Sequence, residues 1–261
     1  MEWASVVSVN HALEWIGPRV TGSGVVERAF VFHGVSSRVP GLLWEPAASA
    51  RATPLVLLGH GGSGHKGAAR IVRLARWFAA EAGFAAVAID GPFHGDCAPS
   101  QPDSPGYQLL MADEGVENVV TRMVDEWCGV IQVIADGNPI DGDRLGYGGL
   151  SMGTRFGLPL AAELGPRLWC AVLGKFGLQQ GRSLHHTLDA PELIGKAAPR
   201  VSVPLMFHLQ RDDEVFARAG QIELFDLIAS RDKRLVERSG GHRMSRPSDE
   251  IEWREFIAAH L

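Results

Sequence analysis

Five residues, Gly149-Leu150-Ser151-Met152-Gly153, set a serine hydroxyl between the apolar run 145–150 and the helix-forming run 154–164. A serine on such a strand-to-helix corner projects from the sheet edge, and its flanking glycines let strand and helix approach closely. The competing role for this serine is a simple helix cap. To attack a carbonyl it needs a base to take its proton and a carboxylate to hold that base in the right tautomer. Both follow along the chain. One apolar run is succeeded by Gln210-Arg211-Asp212-Asp213-Glu214-Val215, the next by Ser239-Gly240-Gly241-His242. Asp213 is favoured as the acid because it stands just before the apolar pair Val215 and Phe216 that opens the next helix, with Asp212 as the alternative. His242, on a turn freed by its glycines, is the base.

Acyl transfer also requires hydrogen-bond donors where the carbonyl oxygen becomes negative. The apolar run ending at Leu58 leads into Gly59-His60-Gly61-Gly62-Ser63-Gly64, whose backbone amides are free to serve. Gly62 is assigned as one donor, with Ser63 as the alternative. The amide of Met152, at the start of the helix that follows the serine, is the other, and the helix dipole favours negative charge there. His60 is expected to orient the loop. Phe93, Tyr107, Met111, Phe176 and Phe216 lie in or beside loops after strand ends and are candidates for the substrate-binding wall.

These residues need a scaffold. Strands are expected at 54–59, 84–90, 144–150, 168–173, 203–209 and 233–237, preceded by an antiparallel pair at 28–35 and 38–44 joined through Ser36-Ser37. Between them, Ile71, Leu74, Ala75 and Phe78 recur at helical spacing, as do Val116, Val119, Val120, Met123, Trp127 and Val130. Further helices are expected at 154–164, 216–229 and 249–259, and 97–106 and 178–201 are the long connections. The alternation predicts a mostly parallel sheet of about eight strands with helices on both faces and an antiparallel start. Residues 25–261 form one domain in this reading, and 1–24, with Val6, Val7, Val9, Leu13, Trp15 and Ile16, an N-terminal extension ending at a glycine-rich break.

With 261 residues, 46% hydrophobic and 21% charged, the chain can bury a large core. A net charge of −5 offers no basic field to a polyanion, so nucleic acid is not expected as a partner. Neither a signal-like start nor an apolar run of membrane-spanning length is present, which predicts a cytoplasmic protein without a membrane partner. Three scattered cysteines, Cys97, Cys128 and Cys170, are expected to be reduced packing residues. A small molecule is the expected partner, and a homodimer is compatible with the composition.

Four motifs in order resemble the α/β-hydrolase superfamily over 25–260, near its dienelactone-hydrolase-like and prolyl-oligopeptidase-like branches. They are Gly59-His60-Gly61-Gly62, Asp90-Gly91-Pro92-Phe93-His94-Gly95-Asp96, the serine elbow, and Gly240-Gly241-His242. Dienelactone hydrolases proper carry a cysteine nucleophile where this chain has Ser151, so the resemblance implies general ester hydrolysis through Ser151, Asp213 and His242, with no cofactor and a minimal cap. Two rival functions remain at the sequence level. Gly62-Ser63-Gly64-His65-Lys66-Gly67 spells a dinucleotide fingerprint through Gly62, Gly64 and Gly67, with Asp90 where a ribose-binding acid belongs, implying an oxidoreductase. A non-catalytic binding protein on the same fold is the other. Metal binding by His60, His65, Asp90, His94 and Asp96 matches no compact zinc signature.

Overall fold

The computed structural model describes residues 12–34, 37–48, 51–98 and 104–261. Val6, Val7 and Val9 of the leader, Ser36 of the first turn and the middle of the connection 97–106 lie outside the described residues.

Nine strands form one sheet: β1 (Ala12–Gly22), β2 (Val25–His33), β3 (Arg38–Pro46), β4 (Thr53–Gly59), β5 (Ala85–Ile89), β6 (Ile140–Gly149), β7 (Leu168–Gly174), β8 (Leu205–Gln210) and β9 (Lys233–Arg238). Their order is β1-β2-β3-β5-β4-β6-β7-β8-β9. The first three strands are antiparallel, β3 pairs antiparallel with β5, and every pair from β5 to β9 is parallel. The sheet is thus the expected mostly parallel one, with one strand more at its antiparallel edge. That strand, β1, comes from the leader, and Ser23 and Gly24 turn it into β2 with φ of 50° and 76°.

The parallel strands read as unbroken apolar runs because both faces are covered. Along β4, Leu55 and Leu57 enter one core cluster while Val56 and Leu58 enter the other, and β5 divides Val87 and Ile89 from Ala86 and Ala88 likewise. On the first face lie α2 (Ser104–Glu114), α3 (Val116–Gly137), α4 (Met152–Leu164), α5 (Pro191–Ala197) and α6 (Arg218–Leu227). The second face is covered by α1 (Ala69–Trp77) and α7 (Pro247–His260). The periodic stripe Val119, Val120, Met123, Trp127 and Val130 is the buried side of α3. Tyr107 and Met111, expected beside a loop, instead stand one turn apart on α2, and the connection 178–201 contains α5.

Strand order reverses beside β4, which has β5 on one side and β6 on the other. Loops leaving the carboxyl ends of strands at such a reversal part to opposite faces and open a crevice. The loop after β4 and the turn after β6 both leave from that point.

A buried histidine on β8 makes stability depend on pH. His208 accepts from Trp253 Nε1 at Nδ1 (3.3 Å), and its Nε2–H donates to Gln210 Oε1 (3.1 Å), so the neutral ring is satisfied. Burial, aided by nearby Lys175, pushes its pKa from 6.5 down to about 4. As pH falls the unfolded chain takes up this proton first, so stability is lost from about pH 6.5 downward until the folded ring titrates near 4. The expected loss is on the order of 3 kcal/mol. Urea unfolding between pH 7 and 4 should show a shallower decline for His208→Gln than for the wild type; equal slopes would refute this origin.

Candidate active site

Ser151 sits between β6 and α4 with φ 60° and ψ −118°, a left-handed conformation that costs a non-glycine residue free energy. The surrounding hydrogen bonds enforce it. Ser151 N–H donates to Gly174 O at the end of β7 (2.9 Å), and the Thr154 hydroxyl lies within 2.9 Å of Gly149 O and 2.8 Å of Gly174 O. Two glycines permit the approach. A Cβ on Gly153 would stand 2.9 Å from Gly59 O, and one on Gly149 would stand 2.6 Å from the Tyr147 hydroxyl, which itself donates to Gly153 O.

The loop after β8 brings up Asp213 and the loop after β9 brings up His242. Ser151 Oγ is 2.8 Å from His242 Nε2, and His242 Nδ1 is 2.9 Å and 3.0 Å from the two oxygens of Asp213. The Asp213 side chain is wholly buried, and its Oδ1 also accepts the amides of Val215 (2.8 Å) and Phe216 (2.9 Å). A carboxylate only accepts, so Nδ1 of His242 carries the proton and Nε2 is left to accept from the serine hydroxyl. Asp212 is exposed and accepts the Gly240 amide at 2.8 Å, which leaves it out of this chain of contacts.

Two residues without a sequence signal hold the histidine loop. Lys175, directly after β7 and almost fully buried, donates from Nζ to His242 O (3.1 Å), Ser245 Oγ (2.9 Å) and Met244 O. Burial, with Arg70 nearby, pushes its pKa from 10.5 down to about 8. Glu214 accepts the His242 amide at 2.9 Å, and that bond holds its carboxyl below the usual range.

Among the described residues, the amides of Met152, Gly62 and Ser63 have no acceptor. All three residues line a cavity of about 490 Å³ together with Ser151 and His242. Tyr107, Met111, Phe176 and Phe216 line it too, and so do Gln108, Leu188 and Arg155. Phe93 does not. It has φ 61°, packs against the core and lies under the Arg122 guanidinium at 6.0 Å, so its placement as a wall residue is corrected. His185 and His186 stack on each other in the connection before α5 and line an adjoining surface groove, which shares Gln108, Ser183 and Leu184 with the cavity but does not reach Ser151.

The residues of the dinucleotide and metal readings are engaged elsewhere. Asp90 is buried and accepts Lys66 N (2.9 Å), Lys66 Nζ (2.7 Å) and Asp96 N (2.8 Å), so its carboxylate is closed to a ribose. Lys66 Nζ also reaches Asp96 at 2.7 Å. His60 Nε2 accepts the Gly91 amide at 2.8 Å while Nδ1 lies 2.9 Å from Gly61 O, tying the β4 loop to the β5 loop. Burial, with His94 beside it, pushes His60 down to about 4 and keeps it neutral. His94 spans Pro92 O (2.7 Å) and Gly62 O (3.1 Å), so it braces the loop that carries the free amides.

A mostly parallel sheet reversing at β4, with a strained serine after β6 and an acid and a histidine after β8 and β9, defines the α/β-hydrolase fold, and this chain has it. A novel cold-adapted esterase from an Arctic intertidal metagenomic library is 29% identical, over 95% of this chain and 99% of its own, with a TM-score of 0.79. Acetyl xylan esterase from Paenibacillus sp. R4 is 18% identical over 97% of this chain and 89% of its own, with a TM-score of 0.74. Dienelactone hydrolase from Anabaena variabilis ATCC 29413 is 20% identical over 91% and 97%, with a TM-score of 0.65. At the two lower identities the likeness is one of fold. No protein-family model and no curated protein matches the sequence.

Proposed function

We propose that this protein is a serine hydrolase of the carboxylesterase kind, cleaving an ester, thioester or lactone of a small molecule through an acyl-enzyme. The observation that carries this reading is the unbroken series Asp213–His242–Ser151, with contacts of 2.9 Å and 2.8 Å, ending beside amides that have no partner among the described residues. The esterase likeness at 29% identity supports the same chemistry.

Ser151 Oγ attacks the carbonyl carbon as His242 Nε2 takes its proton. Asp213 keeps Nδ1 protonated and stabilises the imidazolium that results. The negative oxygen of the tetrahedral intermediate is held by the amides of Met152 and Gly62. His242 then protonates the leaving oxygen or sulfur, which departs as alcohol or thiol. Water, deprotonated by His242, attacks the acyl-enzyme, and collapse of the second intermediate returns the proton to Ser151 and releases the acid. The nucleophile, the base, the acid that orients it and the oxyanion donors of this cycle come from the protein, and water is the second substrate. The substrate's size is bounded by the cavity of about 490 Å³, which suits a small molecule. No described helix is long and apolar enough to cross a membrane.

Labelling with a fluorophosphonate, followed by intact mass, tests the reading directly. One adduct on the wild type, none on Ser151→Ala, and turnover of p-nitrophenyl esters of short acyl chains are expected. Absence of both adduct and turnover would leave the fold as a binding scaffold.

Gly62 offers a second check. A Cβ there would stand 2.3 Å from the Tyr107 hydroxyl, so Gly62→Ala must displace either the loop or the tyrosine. Moving one oxyanion donor costs about 10²- to 10³-fold in kcat. The expected loss for Gly62→Ala falls in that range on a short ester, with KM changed less than kcat. Wild-type kcat in a folded Gly62→Ala enzyme would remove the β4 loop from the oxyanion site.

A further inference from the structure

The wall of the cavity contains a buried cation for which no anion is provided. Arg155 stands one helical turn after Ser151 on α4, which puts both residues on the same side of that helix. It is 6% exposed. Its Nη1 donates to Leu188 O, and its guanidinium lies 5.4 Å from the centroid of the Phe176 ring. Leu188 and Phe176 line the same cavity as Ser151, so the guanidinium is held between two pieces of the cavity wall.

Among the described residues Arg155 makes no ion pair. The carboxylate whose charge reaches it, Asp189, is exposed and makes no ion pair with it. Burial pushes the guanidinium down to about 10, so it stays charged at neutral pH. The remaining charged groups along the cavity are the exposed Arg243 and the exposed Glu214, and Glu214 is committed to the His242 amide. A charge removed from water without a counter-charge is costly to the fold, and one carbonyl oxygen satisfies a single arm of a guanidinium that has five donors. A planar carboxylate matches the remaining donors in shape and charge.

We propose that Arg155 is a substrate-binding residue that selects esters carrying a second, anionic group, a carboxylate, which it receives while Ser151 attacks the ester carbonyl. The inference rests on the serine-hydrolase reading for its catalytic half. Its binding half stands on the unpaired guanidinium alone. A neutral ester of the same length leaves the buried cation unpaired, and the difference between the two substrates is the specificity.

The test compares p-nitrophenyl hemisuccinate with p-nitrophenyl butyrate, which places the carboxylate on the acyl side, and 4-acetoxybenzoate with phenyl acetate, which places it on the leaving side. At least one pair should show a kcat/KM preference of about 10-fold or more for the anion in the wild type. Arg155→Met should abolish that preference, the anionic ester losing at least about 10-fold more kcat/KM than its neutral partner, and Arg155→Lys should keep part of it. A purely structural arginine would lower both members of a pair together. Calorimetric titration of the wild type with succinate, and of Arg155→Met with the same anion, reads the site without turnover. Succinate binding lost in Arg155→Met supports the proposal even if no ester is cleaved, which would refute only the hydrolase reading. Equal kcat/KM within both pairs in the wild type, or succinate binding that survives Arg155→Met, would overturn it; should that variant unfold, the wild-type ratios and Arg155→Lys decide.

Discussion

Ser151→Ala is expected to lower kcat on p-nitrophenyl acetate by about 10⁵- to 10⁶-fold, and His242→Ala to lower it as far, while the double variant loses no more than either alone. The two residues act as one unit. Ser151 Oγ lies 2.8 Å from His242 Nε2, so the hydroxyl becomes a nucleophile only as that nitrogen takes its proton. In the proposed mechanism removing either member removes the same step, and what remains is expected to come from the amides of Gly62 and Met152 and from substrate binding. Stopped assays with active-site titration would check this; a single variant retaining a tenth of the activity would mean that another group attacks. The strain at Ser151 provides a companion readout. Its φ of 60° is imposed by the bond from its amide to Gly174 O and by the close passage of Gly153 against Gly59 O, and alanine inherits that strain whereas glycine relieves it. Ser151→Gly should therefore be more stable than Ser151→Ala by about 1 kcal/mol, read as a higher melting temperature for two variants that are equally inactive.

The elements closest to this centre are the most legible in the sequence, because each is fixed by local chemistry. Gly149 and Gly153 flank the serine because neighbouring backbone and the Tyr147 ring leave no space for a Cβ, and such a requirement is written into the residue type itself. The parallel strands are legible for a similar reason: Leu55, Val56, Leu57 and Leu58 must all be apolar when successive residues enter opposite cores. Strand β1 is not. Its exposed edge needs no apolar face, Gly17 and Pro18 interrupt it, and its register shifts between Ile16 and Val20, so its pairing with β2 is decided by tertiary contact. Helix α2 is obscured by Pro105 and Gly106 near its start, although Tyr107 and Met111 share one face of it. Arg155 and Lys175 are illegible for a different reason. A lone cation in a helix or after a strand ordinarily faces water, and only packing shows that Arg155 is enclosed by Phe176 and Leu188 and Lys175 by the histidine loop. Phe93 errs in the opposite direction: a strand-end aromatic suggests a pocket, but its left-handed backbone and its packing under Arg122 take it to the core.

Asp213→Asn should reduce kcat by about 10⁴-fold, whereas Asp212→Asn should leave it within about 3-fold. The hydrogen bonds around each carboxylate give the reason. Asp213 Oδ1 accepts two backbone amides, from Val215 and Phe216, and the asparagine carbonyl must stay on them because an amide NH₂ there would face two donors. That leaves the NH₂ in the place of Oδ2, 2.9 Å from His242 Nδ1. It donates to Nδ1, the ring takes the opposite tautomer, and Nε2 presents a hydrogen to Ser151 where it should accept one. Geometry is preserved and the base is lost, so the fluorophosphonate should also label Asp213→Asn slowly although Ser151 is intact. Asp212 has one partner, the Gly240 amide, which an asparagine carbonyl accepts equally well. The same two amides explain why the acid stands directly before Val215 and Phe216: the backbone that begins the next segment is what pins its carboxylate. Matched melting temperatures for the two asparagine variants, with kcat separated by about three orders of magnitude or more, would assign the acid; equal losses in both would place the proton relay elsewhere in the loop after β8.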